Sequence, residues 1–243
     1  MSEDTSSMRP IDPGFPLDRL LQMLRSDDPD HRRRAAVALQ QRTGPITGTI
    51  DEIHGPAVAT ALLVALRDSD TRVRRPAASA LSTLLESATV ASTFKTALTE
   101  AFKNALSDTS PTIRQIAIDA LTKIGDPSVL PELLVLWDDD DARVHRAMLT
   151  AMKAFGRDVP FQFFVNSLSD HRPSKRAGAA QVLGWIGDRS AVAGLLMALH
   201  DEDRGVRRSV MYALVALREA AAMPLLVADL VADLADQHTP PSP

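Results

Sequence analysis

The sequence predicts an all-α fold, a right-handed α-solenoid of about six short helical hairpins followed by a C-terminal capping helix. Three observations carry this. Six blocks of sequence fall into register without gaps. Each block holds an acidic turn followed by an apolar stripe at helical spacing. Aromatic residues make up only 4% of the chain, and the apolar set is mostly Ala, Leu and Val, which suits close-packed helices better than strands.

The blocks read LRSDDPDHRRRAAVAL from Leu24, LRDSDTRVRRPAASAL from Leu66, LSDTSPTIRQIAIDAL from Leu106, WDDDDARVHRAMLTAM from Trp137, LSDHRPSKRAGAAQVL from Leu168 and LHDEDRGVRRSVMYAL from Leu199. Successive starts are 42, 40, 31, 31 and 31 residues apart. Thirty-one residues make one short hairpin, so the two longer spacings hold extra loop, TGPITGTIDEIHG and part of ESATVAST.

Within each block the elements follow in order. The opening Leu or Trp ends a first helix, as in VATALLVAL and VAGLLMAL. A turn comes next, and its last column reads Asp28, Asp70, Ser110, Asp141, Arg172, Asp203. The following column holds Pro29, Pro111 and Pro173. A capping side chain followed by proline marks the N-cap and first residue of a second helix. That helix is amphipathic, with Val73, Ala77, Ala80, Leu81 and Leu84 in block two and Val206, Val210, Ala213, Leu214 and Leu217 in block six.

Some residues depart from this pattern. Pro76, inside its helix, is expected to bend or break it. Arg172 in place of an N-cap should weaken the start of the block-five helix by about 1 kcal/mol. That helix also carries Lys175 in the Val column, together with Gly178 and Gly184.

Taken alone, LWDDDDARVHRAM suggests a carboxylate-histidine metal or acid-base site. In register, Asp138 to Asp141 are the turn and N-cap of block four. His145 stands in a column that otherwise reads Arg32, Arg74, Arg114, Arg176, Arg207, so it replaces a structural cation and no metal site is expected. Six residues before that column runs a second acidic one, Ser26, Asp68, Asp108, Asp139, Asp170, Asp201. The two columns predict a ladder of Asp–Arg contacts within or between hairpins.

The pattern D-x-D-x-x-V-R-x-x-A-x-x-A-L, carried by Asp68, Asp70, Val73, Arg74, Ala77, Ala80 and Leu81, resembles HEAT repeats. So do Gly125-Asp126-Pro127, Gly187-Asp188, and Asp201, Asp203, Val206 and Arg207. More narrowly, the sequence resembles the short HEAT-like repeats of the phycobilisome lyase type, over roughly residues 17 to 234. That resemblance implies a solenoid fold and a range of roles, from scaffolds to bilin lyase subunits and some enzymes. Deoxyhypusine hydroxylases resemble the fold but hold irons with paired His-Glu motifs, and this sequence has no His-Glu dipeptide. DNA-glycosylase solenoids use a basic groove, whereas here Arg clusters alternate with acidic turns and the net charge is −4, so nucleic acid is not expected as a partner. Phosphate-binding glycine loops and nucleophile elbows are absent, so nothing marks a self-sufficient enzyme.

The expected function is that of a non-enzymatic protein–protein interaction scaffold or adaptor that binds a partner on its concave face. In a solenoid the second helices commonly line that face. One, five and nine residues after the Arg column lies a stripe that is mostly polar or small: Arg33, Val37, Gln41; Arg75, Ser79, Thr83; Gln115, Asp119, Lys123; Arg146, Thr150, Ala154; Ala177, Gln181, Trp185; Arg208, Tyr212, Ala216. Trp185 and the sole tyrosine, Tyr212, break it on neighbouring hairpins. The expected partner-binding residues are therefore Trp185, Tyr212, Arg208, Gln181 and Arg146. Trp185 has a second reading, as a core residue covering the adjoining loop, and Trp137, in a Leu column, is expected to pack. Under the alternative that the resemblance implies, the chain is a phycobilin lyase or bilin-protein chaperone subunit. Arginines would then pair with bilin propionates and the aromatics would stack on pyrrole rings. No other cofactor and no metal is expected.

The expected organisation is a flexible N-terminal tail over residues 1–16, the repeat solenoid over 17–236 and a flexible C-terminal tail over 237–243. The final helix, with Leu226, Leu230 and Leu234 on one face, is read as a cap. If that stripe is too wide for one neighbour, it would form a hetero- or homo-dimer contact. The polar start has no apolar run, no window reaches a membrane-span length of apolar residues and cysteine is absent, so the expected location is the cytoplasm.

Overall fold

The computed structural model describes Ile11, residues 15–43, residues 54–219, Pro224 and Val227. The N-terminal tail lies almost wholly outside these residues, and so do the C-terminal tail and most of the expected capping helix. The described residues form an all-α solenoid of six hairpins, with helices α1 (Leu17–Met23), α2 (Pro29–Thr43), α3 (Gly55–Ala65), α4 (Thr71–Leu84), α5 (Ala88–Ala105), α6 (Pro111–Ile124), α7 (Leu130–Val135), α8 (Ala142–Phe155), α9 (Phe161–Ser167), α10 (Pro173–Ile186), α11 (Val192–Ala198) and α12 (Arg204–Ala216). Odd-numbered helices are the first of each hairpin and even-numbered helices the second.

The second helices start where the turn columns put them. Asp28, Asp70 and Asp141 accept from the N–H groups of Asp30, Arg72 and Arg143, and Asp203 accepts from that of Val206. Each bond satisfies a backbone donor that the helix itself cannot. Pro29, Pro111 and Pro173 are the first helical residues of α2, α6 and α10. Two starts differ. Ser110 sits at the N-cap of α6 without a side-chain cap bond, and Arg172 likewise leaves α10 uncapped by its side chain. Helices α6 and α10 end on Gly125 and Gly187, at φ of 67° and 74°, a left-handed turn that costs glycine least. Pro76 does not break α4. The helix runs unbroken from Thr71 to Leu84 with the proline buried inside it.

The chain divides into two compact units, residues 1–148 and 149–243, with the boundary inside α8. In the first unit α2 packs on α4 and α4 on α6, while α3 packs on α5. Its core is made of small and branched residues such as Ala35, Leu39, Val73, Ala77, Leu81, Ile113 and Leu121. In the second unit α10 packs on both α9 and α12. A Cβ built on Gly184 would lie 3.0 Å from the Cα of Ala213, so α10 and α12 touch backbone to backbone there. Lys175, in the Val column of α10, is 2% exposed, and burial pushes its amine below the ordinary lysine range.

Candidate partner-binding face

The Arg column and the acidic column do form a ladder, and its rungs work within and between hairpins at once. Arg74 donates Nη1 to the carbonyls of Asp68 and Ser69 in its own turn. Its Nε and Nη2 fork onto the carboxylate of Asp108 in the next turn, at 2.7 and 3.0 Å. Arg32 joins its own turn to Asp68 in the same way, Arg114 to Asp139, and Arg176 to Asp201. Each carboxylate also accepts the backbone N–H two residues on, as Asp108 does from Ser110. Burial pushes the Asp68 and Asp108 carboxyls up, but the arginine hydrogen bond and charge and the backbone N–H together carry both below the usual range. At Asp201 the Arg176 hydrogen bond is the largest influence and the net direction is again down. Planar, bidentate guanidinium forks fix the angle between successive hairpins, and this engages Arg32, Arg74, Arg114 and Arg176 in structure.

His145 keeps the column's place but not its chemistry. Its ring lies 5.4 Å from that of Trp137, tilted by 50°. Trp137 is 2% exposed, as expected of a packing residue. The four-aspartate run is accounted for by the turn. Asp139 takes Arg114, and Asp141 caps α8 and takes Arg143, which holds its carboxyl down to about 2. Among the described residues no group of His, Asp or Glu could hold a metal ion.

On the second helices, none of the stripe residues from Arg33 to Ala216 is buried. In the second unit the stripe carries the two aromatics. Trp185 is 38% exposed, which excludes a purely core role, and Tyr212 is 47% exposed. They neighbour in sequence Gly184 on α10 and Ala213 on α12, the two residues at which these helices meet backbone to backbone. Each ring has a cation at hand. The Lys153 ammonium sits 5.6 Å from the Trp185 ring, and the Arg208 guanidinium 5.8 Å from that of Tyr212. Gln181 is half-buried and donates to the Ser209 hydroxyl at 3.4 Å, so it ties α10 to α12 as well as facing the stripe. The second unit thus brings Trp185, Tyr212, Arg208 and Gln181 onto two packed helices. Arg146 belongs to the first unit, exposed on the opening turns of α8.

Column reading did not anticipate the exposed apolar residues on the first helices. Val64, Val135 and Met197 are 70%, 74% and 80% exposed. All stand two residues before a block start, where the other blocks have Gln22, Asn104 and Asn166. The alternation was visible in the sequence, but only the hairpin packing shows that this column faces water. No helix among the described residues is long and apolar enough to cross a membrane.

The family profile for HEAT repeats matches residues 17–101, 99–162 and 161–237. Among solved structures, importin beta is similar at 18% identity and TM-score 0.70, covering 88% of this chain and 32% of that one. The Kap95:Nup1 complex is similar at 15% identity and TM-score 0.65, covering 84% and 30%. A designed armadillo repeat protein, YIII(Dq.V1)4CPAF, in complex with peptide (KR)4, is similar at 17% identity and TM-score 0.58, covering 83% and 99%. At these identities the likeness is one of fold. No curated protein matches the sequence.

Proposed function

The chain belongs to the HEAT-repeat family, and we propose that it is a non-enzymatic adaptor that binds another protein on its second-helix face. The observation that carries this is the pair Trp185 and Tyr212, both part-exposed on a stripe otherwise mostly polar or small, each beside a cation. Aromatic residues ringed by polar and cationic neighbours give large contact area at little entropic cost, the composition of a binding hot spot. Gln181 and Arg208 complete the patch, and Arg146 is a separate exposed cation on the first unit. Solved repeat proteins of similar fold hold a peptide, (KR)4, and a protein, Nup1, which supports a binding role.

The test is capture of partners from native lysate by wild type and by a Trp185→Ala, Tyr212→Ala variant with an unchanged melting temperature. A partner retained by wild type and lost by the variant is the expected result. Equal retention would move the interface elsewhere. The same cation–aromatic pairs suit the alternative of a bilin lyase or bilin-protein chaperone subunit, with rings for the pyrroles and Arg208 for a propionate. Visible absorbance in the captured material would favour that reading.

A further inference from the structure

A second feature lies in the first unit, on the same class of surface but away from the aromatics in sequence. Helices α2, α4 and α6 enclose an open cavity of about 500 Å³, lined among others by Arg33, Arg72, Arg75, Pro76, Ser79 and Thr112. In a chain of net charge −4, the described lining holds three arginines and no carboxylate. The three differ in what they already touch. Arg72 is engaged by Asp70 at 2.7 Å and by Asp30 at 3.5 Å. Thr112 and Ser79 are also engaged, by Arg143 and Gln40. Arg33 and Arg75 are exposed, and neither makes an ion pair or hydrogen bond among the described residues. The ladder explains why. Its acidic column is consumed one position earlier by Arg32 and Arg74, so the next arginine in each helix has no acid assigned to it.

From this we infer that the cavity is a docking groove for an acidic, extended segment of another protein. Arg33 and Arg75 occupy equivalent positions on the packed helices α2 and α4. Packed helix axes lie about 9 Å apart. An extended chain rises about 3.3 Å per residue, so two carboxylates about three residues apart would reach both guanidiniums. A small anion would reach only one step, whereas a groove shared by three helices accommodates a chain. Pro76 adds to the site. It lines the cavity and has no N–H to offer the Arg72 carbonyl one turn back. The peptide held by the designed armadillo protein, (KR)4, is basic, whereas the arginine-lined groove here would repel such a peptide and suits an acidic one.

This inference rests on the reading of the chain as a binding scaffold, but it uses residues of the first unit, while Trp185 and Tyr212 belong to the second. The test is to pan a random peptide library on wild type, on Arg33→Glu, Arg75→Glu, and on Trp185→Ala, Tyr212→Ala. All three must share one melting profile. Wild type should enrich sequences with two or more Asp or Glu about three residues apart. A fluorescent copy of an enriched peptide should bind the charge-reversed protein about tenfold more weakly, and more weakly still as salt is raised. The charge-reversed protein should itself select Lys and Arg, which loss of a merely structural residue would not produce. Failure to enrich acidic sequences on wild type, or equal binding by the charge-reversed protein, would overturn the proposal. Acidic selection that survives in the Trp185→Ala, Tyr212→Ala protein while partner capture is lost would separate the two sites.

Discussion

At the scale of single residues, the arginines of adjacent columns are chemically alike and structurally opposite. Arg74 is held by two carbonyls behind it and a carboxylate ahead of it. Its side chain and that of Asp108 are 12% and 9% exposed. Removing one partner of such a pair leaves the other charge desolvated and alone, so Arg74→Ala should cost roughly 3 kcal/mol. That corresponds to a fall of about 6–12 °C in Tm for a chain of this size. Arg74→Leu combined with Asp108→Leu should recover part of the loss, because no unpaired charge remains. A double-mutant cycle by thermal denaturation checks both. Lys175 presents the reverse case. Burial lowers its amine, so folding disfavours the charged form and stability rises with pH between the folded value and the free lysine value of about 10.4. The Tm of wild type should therefore rise relative to that of Lys175→Met as pH approaches that free value. The sequence showed Lys175 as an intruder in a Val column, but the columns alone did not show that it is buried.

At the scale of elements, the hairpins were legible because each has its own punctuation. Each second helix opened on an Asp or Ser, on a Pro, or on both, and Gly125-Asp126 and Gly187-Asp188 closed two of them. Pro76, expected to bend or break α4, does not break it. It is buried, and α4 continues through it to Leu84. Trp185 kept two readings because the choice depends on a contact between helices, which a column does not contain. Gly184 supplies that contact by letting α10 meet the backbone of Ala213. In an isolated helix Gly→Ala gains about 1 kcal/mol. Here the new Cβ would meet backbone that cannot rotate away, an overlap that costs roughly 1–3 kcal/mol. Gly184→Ala should therefore lower Tm and should also weaken partner capture, since it moves Trp185 relative to Tyr212. A variant that melts higher and captures normally would contradict the close-packing account.

At the scale of the whole molecule, stability should carry the ladder's pH signature. The Asp68, Asp108 and Asp201 carboxyls lie below their unfolded value of about 3.9. Their contribution is present in full above that pH and is lost as pH falls through the folded values. Burial pushes Asp119 the other way, so that single carboxyl opposes the trend. Tm should stay nearly level from pH 7 to about 5 and fall steeply below about 4, with a shallower fall in Arg74→Leu, Asp108→Leu. The fold class was legible because a repeat states its pattern six times. The proposed binding face was legible only as a stripe. Which arginines remain free, and where a cavity opens, depends on how carboxylates from successive turns are shared out.

The most direct measurement is site-specific photo-crosslinking in native lysate, with a photoreactive residue placed at Tyr212 on α12 or at Met197 on α11, both in the second unit and both exposed. The adaptor account predicts a discrete protein adduct from position 212 and little from position 197. An adduct from position 197 and none from position 212 would contradict it, and would assign partner binding to the first-helix face.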